Sequence, residues 1–185
     1  MTDNAAKRAA VAQAFARAVF TALAPEGRLQ TESAIAAMAR MAGTYYFRSF
    51  GYAAMQLEPG QAVLSDEANT KGPELMHLAH EVLARLGVKL EDARVRAALK
   101  HKADRHTPRL GFAYTQPRVE RAFAPVKDAH GLSNVEAGKA AACAVALLIH
   151  NSRDELDPAV AFGLATYGFI EGTKTAPWPV EPVTE

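Results

Sequence analysis

At 185 residues the chain fits one domain, and its 49% hydrophobic and 22% charged residues match the balance of a soluble globular protein. No apolar run approaches the roughly 20 residues needed to span a bilayer, and a single cysteine rules out an internal disulfide. A net charge of +1 and a pI near 7.9 lie far from the basic balance of a dedicated nucleic-acid binder.

Alanine is abundant and β-branched alternation scarce, so helices are expected throughout. Lys7 and Arg8 ahead of an alanine-rich stretch imitate a secretion signal, but Gln13 and Arg17 interrupt it. An amphipathic helix from residue 3 or 4 to 23 is the better reading, with Val11, Phe15, Val19 and Leu23 as its apolar stripe. With neither a signal nor a span, the protein is placed in the cytoplasm and away from membranes.

Thr31 is the expected N-cap of a second helix, with Ile35, Met38, Ala42 and Tyr45 on its apolar face and Gly51 as its stop. Residues 45–52 concentrate five aromatics, a density that suits a core, although the polar tip of tyrosine also suits a pocket wall. Ser65, Asp66 and Glu67 open a short helix, and Gly72-Pro73 starts another that runs to 86. A helix over about 90–102 comes next. A connection over 103–117, with Pro108, Gly111 and Pro117, leads to a helix over 117–129 that Pro125 can kink.

Ser133 with Glu136 forms a capping-box pattern, and Asp157-Pro158 reads as N-cap and first helical residue. The two helices opened by these signals are the most informative part of the chain, because they are built largely from alanine and glycine. Glycine inside a helix costs about 1 kcal/mol relative to alanine, so Gly163, Gly168 and Gly172 imply a neighbouring backbone in close approach. The expected architecture is an all-α, single-domain bundle of about six to eight helices over 1–175. Its closely packed Ala/Gly-rich C-terminal helix pair lies at the centre or at a homodimer seam, and residues 176–185 form a Pro-rich tail.

Charge is uneven. Between Arg94 and Lys127 nine lysines and arginines face only Asp104 and Glu120, a local charge of +7. Lys100, Lys102, Arg105 and Arg109 are the candidate contacts to an anionic macromolecule, while nucleic acid is disfavoured by the near-neutral whole. A solvated face paired with the acidic flanks explains the same run.

Three chemical patterns stand out. Glu74-Leu-Met-His77 has the spacing of a di-iron helix, but no second Glu-x-x-His exists, so no metal is assigned and a metalloenzyme built on Glu74 and His77 is an alternative only. Cys143 lies among alanines, as a small core residue does. Glu171 is the one carboxylate between Ala159 and Lys174: exposed, it sits on a frayed turn; buried, it pairs with Arg40 or Arg48. The leading expectation is a non-catalytic binding or scaffold protein with an interhelical pocket for a small apolar ligand. Its candidate residues are Tyr45, Tyr46, Phe47, Arg48, Tyr167 and Glu171; no cofactor and no reaction is specified.

Overall fold

The computed structural model describes residues 2–24, 27–52, 55–100 and 107–180. It contains seven helices among them: α1 (Thr2–Leu23), α2 (Thr31–Ser49), α3 (Asp66–Arg85), α4 (Asp92–Lys100), α5 (Phe112–Ala129), α6 (Asn134–Asn151) and α7 (Pro158–Lys174). The all-α, single-domain bundle expected from the sequence is what the chain forms. No single helix among the described residues is long and apolar enough to cross a membrane.

The centre is α2. Fourteen of its 19 residues are buried, as a helix that is apolar nearly all round requires. It packs most extensively on α7, then on α6, with α5, α3 and α1 completing the shell. The alanine-glycine surfaces of α6 and α7 therefore face α2 rather than each other, and the two C-terminal helices touch one another only slightly. Gly168 and Gly172 of α7 and Gly138 of α6 are occupied by α2 within a single chain.

The α2–α7 seam is backbone against backbone. A methyl group placed on Gly43 would stand 2.7 Å from the carbonyl oxygen of Phe169 and the amide nitrogen of Thr173. One on Gly168 would stand 2.8 Å from Ala39 Cβ, and one on Gly172 would fall on the Arg40 carbonyl. On the neighbouring face of α2, Gly138 of α6 accepts the ring of Tyr46, whose Cδ2 would lie 2.7 Å from an added Cβ.

Helix boundaries depart from expectation in three places. Gln30, not Thr31, caps α2 in extended conformation. The Gln30 carboxamide oxygen accepts from Ser33 Oγ (3.0 Å) and the Arg109 amide (3.1 Å), so it serves the 107–110 segment instead of the helix. Next, α3 is one continuous helix, capped by Ser65 Oγ accepting from the Ala68 amide (3.1 Å), with Pro73 inside it. Proline normally expels its predecessor from helical geometry through a clash with that residue's Cβ. Gly72 has none, which lessens that clash, but it is not required for continuity: Pro117 and Pro125 lie inside α5 behind Gln116 and Ala124.

Finally, α5 begins at Phe112, five residues before Pro117, with Gly111 extended at its N-cap. Phe112 lies edge-on to Trp178 (5.3 Å between centroids) and under the Arg40 guanidinium (5.6 Å). Those partners extend the helix back through a stretch whose prolines and glycine read as a loop.

The chain after α7 is tied down as far as it is described. Gly60 and Val63 amides donate to the carbonyls of Ala176 (2.8 Å) and Lys174 (2.7 Å), and the Ala176 amide donates to Gln61 (2.9 Å). The Trp178 amide donates to Gln116 Oε1 at 2.8 Å. Residues 181–185 lie outside the described residues.

Replacing Gly172 by Ala is expected to lower stability by about 2–3 kcal/mol, because the clash with a backbone carbonyl outweighs the roughly 1 kcal/mol gain in helix propensity. The urea midpoint measures it. The capping box of α6 gives a pH signature. Glu136 accepts from Ser133 Oγ (2.7 Å) and the Ser133 amide (2.9 Å), which hold its pKa below the ordinary 4.5. Its contribution is fully present above that value and is lost as pH falls through the lowered pKa. Glu136→Gln is expected to flatten the acid limb of a stability–pH curve below 4.5, with stability at pH 7 within about 1 kcal/mol of the parent.

Candidate ligand-binding site

One face of α7 presents residues 157, 160, 163, 164, 167, 168 and 171 at spacings of three and four, so they share a stripe. With α2, α4 and the 107–108 segment that stripe encloses an open-sided cavity of about 740 Å³. Ala36 of α2, Ala97 and Ala98 of α4, and Gly163 and Gly168 of α7 line it, although the Cα sides of the two glycines are themselves taken up by Ala98 and Ala39. Tyr167 donates its hydroxyl to the Leu99 carbonyl, tying α4 to α7 across the site.

An ion pair stands at each end. Arg40 Nε donates to Glu171 Oε2 at 2.6 Å, with the arginine 13% and the glutamate 42% exposed. Arg40 is also anchored through Nη1 to the Leu110 carbonyl (2.9 Å). At the other end Arg94 pairs with Asp157, whose second oxygen accepts from the Ala159 amide (2.8 Å) as the N-cap of α7.

Of the residues singled out in the sequence, Tyr167 and Glu171 line this cavity and Glu171 does pair with Arg40. The remaining four are placed elsewhere. Tyr45 is buried against Phe15 (6.4 Å), its hydroxyl without a hydrogen-bond partner among the described residues, beside a shallower cavity of about 450 Å³ that Arg48, Glu120 and Lys127 also line. Arg48 pairs with Glu120 at 2.6 Å. Tyr46 donates to Glu74 (3.2 Å), and Phe47 packs edge-on against Tyr52 (5.2 Å). Burial pushes both tyrosine phenols well above their ordinary 10, the charges of Glu120 and Glu74 respectively adding to it, so both hydroxyls stay protonated.

The basic run is dispersed over several elements. Lys100 ends α4, Lys102 and Arg105 lie outside the described residues, and Arg109 is exposed on the 107–110 segment, its amide held by Gln30 and Ser33. Arg94 is engaged at Asp157, and Arg118 lies 3.8 Å over the Tyr114 ring. Arg94 thus belongs to the cavity, a role its place in a charge run did not suggest.

Glu74 is engaged by Tyr46, while His77 faces Glu81 at 3.1 Å. Among the described residues no group of three or more His, Cys, Asp or Glu could hold a metal ion. Neither a protein-family model, a curated protein nor a solved structure matches the chain.

Cys143 is 8% exposed, and burial pushes its thiol above the ordinary value, which keeps it neutral and unreactive. Labelling by a disulfide reagent at pH 8 is expected to be on the order of 100-fold slower in the native protein than in denaturant. Fast native labelling would show that α6 opens locally.

Proposed function

We propose that the protein is a non-catalytic binding protein for a small, mostly apolar molecule held between α2, α4 and α7. The observation that carries this reading is the cavity of about 740 Å³, within the roughly 300–1,000 Å³ range of small-molecule sites. Its walls are small apolar residues, and its charged groups gather at the ends, the division that lets an apolar body bind while a few polar groups orient it. The charged side chains that reach it are paired with one another, and its described lining contains no serine, cysteine or histidine. That composition favours retention of a ligand over its chemical conversion.

Ala97 offers a clean test, because it is exposed on α4 and lines the cavity without supporting the core. Wild-type protein is expected to enhance the fluorescence of Nile red, a neutral apolar dye. Ala97→Trp fills the space and is expected to weaken dye binding at least roughly tenfold, with an unchanged thermal midpoint. Absence of dye uptake by the wild type would overturn the proposal.

A further inference from the structure

We infer that the ligand is a linear amphipathic carboxylate, whose head group takes the place of Glu171 on Arg40. This rests on the reading of the cavity as a small-molecule site and adds the chemical class.

Shape comes first. The cavity runs along α7 from Asp157 to Glu171, fourteen residues or about 21 Å at 1.5 Å each. Spread over that length, 740 Å³ leaves a mean cross-section of about 35 Å², wider than a single extended hydrocarbon chain needs, so the length of the slot rather than its width favours a linear ligand. A compact ring system would leave most of the slot empty.

Charge then selects the end. Arg40 is largely buried and stays anchored by the Leu110 carbonyl and the Phe112 ring whether or not Glu171 is present. Its Nε already holds a carboxylate oxygen at 2.6 Å, while Nη1 is committed to the Leu110 carbonyl. Glu171, by contrast, has Arg40 as its one ion-pair partner among the described residues and is 42% exposed. It sits in the last turn of α7, where the helix dipole disfavours a negative charge. It can swing into water at little cost.

The opposite end lacks this asymmetry. Asp157 is committed to capping α7 as well as to Arg94, so displacing it would uncap the helix. Arg94 is also 59% exposed, where solvent screens an ion pair. The head group therefore belongs at Arg40, and the alkyl chain lies over Gly168, Leu164 and Gly163 toward Arg94.

The experiment is displacement of Nile red from the full chain by dodecanoate, dodecanol and dodecylammonium, the two ions below their micellar concentrations and the alcohol below its solubility limit. Dodecanoate is expected to displace the dye at roughly tenfold lower concentration than dodecanol, and dodecylammonium to be the weakest. Arg40→Gln is expected to bring the dodecanoate-to-dodecanol ratio near one, and Glu171→Gln to raise it severalfold by removing the internal competitor. If Arg40→Gln does not fold, Glu171→Gln decides: an unchanged or lowered ratio overturns the inference. Equal displacement by all three, or preference for the ammonium, also overturns it while leaving the apolar-ligand reading intact. Failure of the dye itself to bind removes both.

Discussion

The contact on which the rest of the molecule depends is the meeting of two main chains, α2 and α7, at Gly43, Gly168 and Gly172. Dispersion attraction is small per atom pair and large in sum, so helices whose backbones touch gain contacts that longer side chains would hold apart. The arrangement offsets the conformational penalty of three glycines in helices. It also fixes where Arg40 stands, because the carbonyl pressed against Gly172 is that residue's own. The side chain that reaches the cavity is thus mounted on the most constrained stretch of the bundle.

Much of this was legible in the sequence where one local signal sufficed. The capping box at Ser133 and Glu136, the Asp157-Pro158 start and the glycines of α7 each name their own physical role. Ambiguity remained where a local signal met a distant partner. Gly72-Pro73 reads as a helix boundary by itself, yet α3 runs through it, and the Cα side of Gly72 packs beside the distant Thr173. The start of α5 depends on Arg40 and Trp178, which no window around Phe112 contains.

The aromatic segment shows a different obstacle. Successive residues on a helix point about 100° apart, so Tyr45, Tyr46 and Phe47 face three directions, toward Phe15, Glu74 and Tyr52, and only Arg48 returns to the side of Tyr45, at the smaller cavity. Density along the chain carries no information about a shared surface, whereas the three-and-four spacing from 157 to 171 does. That second pattern was present but masked by its chemistry, since valine, glycine and leucine along a helix read as packing. Only the positions of α4 and the 107–108 segment show that part of this stripe borders space rather than a neighbour.

A cavity lined by small residues survives only if its walls cannot lean inward. Here α7 is clamped on α2 by the glycine seam and cannot shift toward α4. In turn α4 is held to α7 at two points, through Arg94 on Asp157 and through Tyr167 on the Leu99 carbonyl. Between those two points α4 also packs on α7 where Ala98 lies against Gly163, so the short helix is fixed in place. The same parts polarise the space: the N-terminus of α7 carries Asp157, which its dipole favours, and the C-terminus carries Glu171, which its dipole opposes. Arg40 compensates that unfavourable carboxylate from a neighbouring helix, so the strained end of the cavity is also the end with a fixed cation and a movable anion.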